Sequence, residues 1–265
     1  TKEIQIKDLI SLIRKVKGSP QLFILDNITK EGLIYANIDI MFDLNGEIKE
    51  NYQINGAIKK AKFNIFNHAE IENLNLLFDI SKNQLTLRKI ETKVNSIKLK
   101  SPLIKIEEKK NIFFFEGKVI NDQQNFDVNK LKPILGDLLS TIETEKIDFN
   151  SVNTFSFNMN KNFRLNDLKL ETNLNLENLR IFKNPLNLKD FLPNYTEKVK
   201  FEDHKIKIKL TKNILDIKGE GDIYIGGEQE QLFYKINNND ERITFDAKLN
   251  IKNNPLIINF LDYEK

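Results

Sequence analysis

His68 and His204 are the only imidazoles in 265 residues, and with no cysteine in the chain they are its whole stock of side chains that titrate near neutrality. General acid–base chemistry needs converging groups of tunable pKa, and these two stand far apart in sequence in different surroundings, so neither reads as a catalytic base. His68 lies in "FNHAEIEN", where Glu70 and Glu72 share its face if the segment is extended. That is part of a metal set, but the third and fourth ligands are not apparent, and a solvated strand edge is the stronger reading. "DLNGEIKE" (Asp43 to Glu50) has the outward look of a calcium loop. Its Gly46 comes two places early and the acidic spacing after it is wrong, so a hairpin turn fits better. "GEGDIYIGG" (Gly219 to Gly227) holds four of the ten glycines, yet no helix start follows, and they read as strand bulges and turns rather than a phosphate cradle. No phosphate loop, nucleophile elbow or paired-histidine helix is present. The 38 carboxylates are scattered, which leaves a glycosidase-like pair open as a minor alternative. The expectation is a chain with no catalytic residues, no cofactor and no metal, hence not an enzyme.

The absence of cysteine excludes a disulfide framework, a thiol nucleophile and zinc–thiolate sites, and leaves the compartment open. The 41 basic and 38 acidic residues are interspersed, so no single-sign block makes a field for nucleic acid. Lys59, Lys60 and Lys62 form the nearest approach to a basic run and read as a solvated outer strand face. The 19 Phe fall on faces opposite to Lys, which suits apolar filling better than base stacking. No apolar run approaches the roughly 18 residues that span a bilayer. A first residue that is Thr rather than Met suggests a piece of something longer, with any anchor or export signal upstream.

The elements that would position a site are strands. "ITFDAKLNIK" (Ile243 to Lys252) puts Ile243, Phe245, Ala247, Leu249 and Ile251 on one face and polar residues on the other. The same alternation recurs along most of the chain. "KDLISLIRKVK" (Lys7 to Lys17) instead has Leu9, Leu12, Ile13 and Val16 at helical spacing, with Gly18 and Pro20 as its stop. Asn45-Gly46 and Asn55-Gly56 read as successive hairpin turns. A second amphipathic helix is expected over Val128, Leu131, Ile134, Leu135, Leu138, Leu139 and Ile142, and a short helix or loop at "LKDFLPNY". The order helix then strands occurs twice, which suggests two modules, 1–125 and 126–265, each a helix plus a β-groove segment, or one continuous sheet.

About eighteen strands with one apolar face each cannot be covered by about thirty helical residues. Either sheets pack on one another as a sandwich, or a long, curled, twisted, mainly antiparallel sheet forms an elongated apolar groove, with two or three short amphipathic helices, occupied by something apolar and long. Acyl chains fit the second case, since each methylene shielded from water gains about 0.8 kcal/mol.

The stretches "LDNITKEGLIYANIDIMFDLNGEIKENYQINGAIKKAKFNIF", "SIKLKSPLIKIEEKKNIFFFEGKV", "HKIKIKLTKNILDIKGEGDIYIGGEQEQLFYKI" and "FDAKLNIKNNPLIINFLDY" give the chain, over most of Ile24 to Tyr263, a texture that resembles the AsmA-like family of Gram-negative bacteria, its YhdP branch in particular. These are strand-and-turn motifs without a catalytic signature. The resemblance implies a bridge-like carrier of phospholipid between the inner and outer membranes, working in the periplasm and tethered to the inner membrane by an anchor outside this chain. Its partners would be phospholipid acyl chains and outer-membrane or periplasmic proteins, with no nucleic acid. The alternatives are an outer-membrane assembly scaffold that adds client strands to its edge, and a β-sandwich surface or glycan-binding module.

Alternation nominates the groove-facing residues as Ile38, Ile40, Phe42, Leu74, Leu76, Phe78, Ile97, Leu99, Phe155, Phe157, Ile206, Ile208, Leu210, Phe245, Leu249 and Ile251. For each, ordinary protein core and lipid contact are equal readings. Phe113, Phe114 and Phe115 break the alternation and imply cover on both faces there, supplied by the helix at Leu131 to Ile142.

Overall fold

The computed structural model describes residues 3–16, 20–46, 51–65, 69–127, 146–162, 164–181, 188–196, 198–239 and 242–265. Thirteen strands form one sheet in sequence order, open rather than closed into a barrel: β1 (Ile4–Gln5), β2 (Thr29–Asp39), β3 (Gln53–Ile65), β4 (Ala69–Ser81), β5 (Gln84–Val94), β6 (Ile97–Lys109), β7 (Ile112–Asp127), β8 (Lys146–Asn160), β9 (Leu165–Ile181), β10 (Val199–Thr211), β11 (Ile214–Ile225), β12 (Glu228–Asn238) and β13 (Ile243–Asn250). Two helices, α1 (Ile6–Val16) and α2 (Pro20–Ile28), lie between β1 and β2. A two-residue pair, β14 (Ile257–Ile258) with β15 (Tyr263–Glu264), ends the chain. The all-β, mainly antiparallel class is as the alternation predicts.

The strands are fewer and longer than predicted in part because Asn55-Gly56, read as a turn, falls inside one of them. Asn45-Gly46 does turn the chain, with Gly46 at φ +82° and the Asn45 N–H donating to Asp43 Oδ1 at 2.9 Å. Asn55-Gly56 does not. Gly56 sits within β3, paired with Ala36 of β2 and Phe78 of β4. A Cβ there would stand 2.7 Å from Phe78 Cζ and closer still to the Tyr35 carbonyl, so the residue is glycine to admit a ring, not to turn the chain. Ser101-Pro102 likewise lies inside β6.

The helices differ too. Pro20 opens α2 instead of only stopping α1, since its fixed φ suits a first helical position and its missing N–H would have no partner there. In α1 the buried residues are Ile6 and Ile10, at 7% and 4% exposure, while Leu12 is 60% exposed. This pair docks where the sheet offers no side chain of its own: a Cβ on Gly32 would lie 2.7 Å from Ile6 Cδ1, and Ala61 is fully buried beneath it. Arg14 of α1 pairs with Asp26 of α2 and lies over the Phe23 ring at 5.3 Å, which ties the helices together. The helix expected over Val128 to Ile142 lies outside the described residues. "LKDFLPNY" forms a run of turns.

The chain divides into two compact units. The first comprises Thr1–Asn121 and Thr154–Leu168, the second Asp122–Asn153 and Lys169–Lys265. In the first, β3, β4 and β5 each carry a residue of positive φ, Lys60, Asn73 and Lys89, at points where the pairing of β3 with β4 and of β4 with β5 shifts register. Each extra residue bends its strand and raises the local twist. It also moves the apolar positions from Ile54, Gly56 and Ile58 to Ala61, Phe63 and Ile65, so the same face stays apolar through the bulge.

In the second unit, Leu192, Val199, Ile223 and Ile225 form a buried cluster against which Leu188, Tyr195, Leu249 and Ile251 pack. The turn segment and the residues after β13 thus close one end of this unit's strands. Glu230, 2% exposed, holds that closure: it accepts the backbone N–H groups of Lys252, Asn253 and Asn254 at 2.6, 2.8 and 2.7 Å, and the Asn254 side chain at 3.1 Å. Burial alone would raise its pKa, but these donors outweigh burial and hold it below the usual value.

Two expectations follow. Gly56→Ala is predicted to lower stability by about 2 kcal/mol through overpacking against Phe78 and Tyr35, read as a shift in urea midpoint at unchanged slope. Glu230→Ala is predicted to cost about 3 kcal/mol, because three N–H groups lose a charged acceptor. Since its folded pKa is depressed, the contribution of Glu230 is present above about pH 4.3 and is lost as pH falls through the folded value, so wild type and Glu230→Ala should converge in acid.

Candidate functional site

The residues nominated by alternation fall into ladders of cross-strand pairs, which can be followed from the backbone upward. Directly paired residues of antiparallel strands project from the same face of a sheet. In the first unit one row runs Ile38, Ile54, Ile80, Leu85 and Ile106 across β2 to β6, and reaches Phe115 of β7. The next runs Ala36, Gly56, Phe78, Leu87 and Ile104 to Gly117. Phe157 stacks on Phe115 with ring centroids 4.5 Å apart, and Phe155 lies over Gly117, where a Cβ would meet its ring at 2.9 Å. Leu76 and Phe78, at 7% and 5% exposure, are core, with Leu74 packed beside them. Ile97 is buried opposite Val94, and Leu99 stands opposite Thr92.

Three nominations change meaning. Ile40 and Phe42 lie past the end of β2 and, with Ile38, are exposed, because the strand stops at Asp39 before the turn at Gly46. Phe114, expected to be covered, is 40% exposed, with the Lys109 ammonium 5.9 Å from its ring.

In the second unit the rows cross five strands. Thr172, Ile208, Ile217, Ile236 and Phe245 make one; Leu174, Ile206, Gly219, Tyr234 and Ala247 make the next; Leu210 pairs with Leu170 and Leu215 in a third. Leu249 pairs with Leu232, and both it and Ile251 lean on the buried cluster at the closed end. Exposure rises away from that end, to 56% at Phe245 and 69% at Ile243. The opposite face carries Lys205, Lys207, Lys209, Lys218, Lys235 and Lys248, and an ion pair from Lys207 to Glu171 at 2.7 Å.

Sequence reasoning missed the middle of these rows, Ile217, Ile236 and Leu232, although the same two-residue period marks them. It also missed two polar rings on the apolar side. Tyr234 lies across Gly219, where a Cβ would be within 2.7 Å of its ring, and burial pushes its phenol up to about 12. His204, 1% exposed, lies across Gly221 in the same manner, with Phe201 edge-on at 5.2 Å and Tyr234 at 6.0 Å. Gly219 and Gly221 are therefore floors for rings rather than bulges, while Gly226 and Gly227, at φ +61° and +96°, do make the turn to β12.

The Nε2 of His204 lies 2.9 Å from the Asp222 carbonyl and its Nδ1 is buried without a partner, which fits a neutral ring donating through Nε2. Burial lowers its pKa, against the weaker raising influence of the Asp222 carbonyl and the Asp222 and Asp203 carboxylates. Such a ring fills space. His68 lies outside the described residues. Among the described residues no cluster of three or more His, Asp or Glu is placed to hold a metal ion, and no helix is long and apolar enough to cross a membrane. Comparison with protein-family models, curated proteins and solved structures finds no match.

Because the folded pKa of His204 lies below that of a free imidazole, its unfolded form takes up a proton first on acidification, so stability is full above about pH 6.5 and declines below it. His204→Phe is expected to flatten that decline in urea titrations made on either side of this pH. An unchanged slope would show that the ring is not the titrating group.

Proposed function

We propose that the apolar rows bind the acyl chains of phospholipid, and that the chain is a segment of an AsmA-like carrier of the YhdP branch that works in the periplasm between inner and outer membranes without catalysing a reaction. The observation that carries this reading is the continuity of the rows against the small amount of protein that covers them among the described residues. Apolar side chains face one way over five or more consecutive strands in each unit, while α1 covers one end in the first and the 188–195 turns one end in the second.

In this reading the strands of each unit curl so that its own rows line an apolar groove, with lipid tails lying over Ile208, Ile217 and Ile236 in the second unit and, separately, over Ile54, Ile80 and Leu85 in the first. The lysines on the outer face remain in water. Each methylene in contact with such a row gains about 0.8 kcal/mol, so a handful of rungs suffices for micromolar binding, while the sameness of successive rungs lets the chain slide. The two-fold recurrence of a capped row along the sequence supports two groove segments, 1–125 and 126–265.

Mass spectrometry of an organic extract of the purified protein is expected to show phospholipid at near-stoichiometric amount. Ile38→Asp and Ile208→Asp should each weaken binding of a fluorescent phospholipid by at least about tenfold, since a carboxylate among methylenes offsets several rungs. Lys218→Glu, on the outer face, should leave binding unchanged. Lipid-free protein that also fails to take up the fluorescent phospholipid would overturn the proposal.

A further inference from the structure

The last strand of the sheet, β13, pairs with β12 and with no other strand among the described residues. Its outer edge is a row of backbone donors and acceptors over eight residues, beside exposed Ile243 and Phe245. The opposite edge is blunted differently: β1 is two residues long and leads at once into α1. A long edge with apolar side chains is a template for pairing with another strand, and natural proteins usually disarm it with a charge that faces inward, a proline or a bulge. β13 has no proline, bulge or inward-facing charge; its two charges, Asp246 and Lys248, are of opposite sign on the polar face, and its register with β12 is unbroken from Ile243 to Asn250.

The sequence of β13 is complementary to itself. When two copies are laid antiparallel about a two-fold axis through Ala247, Asp246 of each falls opposite the partner's Lys248, Phe245 opposite the partner's Leu249, and Thr244 opposite the partner's Asn250. Both ion pairs lie on the polar face and both apolar pairs on the apolar face. Moving the axis one residue to Asp246 sets that carboxylate against its own copy, which is repulsive, and moving it to Phe245 leaves Asp246 opposite Thr244. The rows already present extend across the junction: Ile236 and Phe245 of one copy meet the partner's Leu249 and Leu232, and Tyr234 and Ala247 meet their own counterparts. Neither Asp246 nor Lys248 has an ion-pair partner of its own among the described residues.

We infer that β13 is a homodimerisation edge, on which a second copy of this chain continues the sheet antiparallel in the register centred on Ala247. The inference rests on the strand edge and its charges alone and is independent of lipid binding. The gain comes from backbone hydrogen bonds along the edge, two opposite-charge pairs, and cover for the Phe245 ring.

Sedimentation of the full chain over a concentration series is expected to show a reversible monomer–dimer equilibrium. Asp246→Lys and Lys248→Asp should each weaken it by at least about tenfold, because each places like charges opposite one another twice, and the double swap should restore it. As the chain has no cysteine, Ala247→Cys should cross-link to a covalent dimer on mild oxidation, whereas Lys212→Cys, outside the strand, should not. Circular dichroism of each variant confirms that it is folded. A monomer at every concentration that does not cross-link through position 247, or a dimer indifferent to both single charge reversals, would overturn the inference.

Discussion

An antiparallel sheet satisfies its own backbone but not its side chains, and that asymmetry governs this protein. The hydrogen bonds of thirteen strands in sequence order close locally. The apolar face they generate is not satisfied by the strands' own hydrogen bonding, and α1 and α2, of 11 and 9 residues, are the only α-helices among the described residues. The structure meets the shortfall in two ways: it caps an end of each face with a short segment, and it turns side chains onto one another along the rows. Leu76 and Phe78 are core, clustered with Ile90 and packed against Ile54, Ile58, Leu85 and Leu87 of the adjoining strands.

Space within the rows is made by omission. Gly56 admits Phe78, Gly117 admits Phe155, Gly219 admits Tyr234 and Gly221 admits His204. In each case a large ring on one strand lies over a glycine on the next, so the face stays level where two full side chains would collide. The energetic cost of a glycine in a strand is offset by the ring's burial. Glycine at these four positions is thus a packing residue, and the ordinary association of Asn-Gly with turns holds at Gly46 and fails at Gly56.

Class, strand polarity and most of the apolar face were legible because the two-residue period is a direct imprint of the pleat. The strand boundaries were less so. Asn55-Gly56 has the chemistry of a turn, and only its cross-strand neighbour, a phenylalanine more than twenty residues away, decides that it is not one. The bulges, by contrast, leave a local trace: polar doublets Lys59-Lys60, Glu72-Asn73, Arg88-Lys89 and Glu202-Asp203 each mark a slip in the phase of the apolar alternation, and each contains the residue of positive φ. The docking of α1 through Ile6 and Ile10 was not legible from the helix alone, since Leu12 and Ile13 continue the same hydrophobic stripe. The choice is made by the vacancy at Gly32 and Ala61 on the sheet.

The polar groups of the second unit then make sense by position. His204 lies beneath the covered end, and Glu230 opposite Ile223 fastens the segment that covers it. Both are buried, both resist protonation, one by desolvation and the other by its N–H donors, and both lie where the face is closed. The rows through Ile208 and Ile206, which run away from that end, carry only Thr172 and the Tyr234 ring as polar interruptions. Placing the costly buried groups under the cap, and keeping the open rows almost purely hydrocarbon, means that an apolar guest on the open rows would meet few dipoles to bind or repel it. In the reading proposed above, a surface organised in that way would select its guest by length and greasiness rather than by shape, which is the demand a mobile acyl chain would make of it.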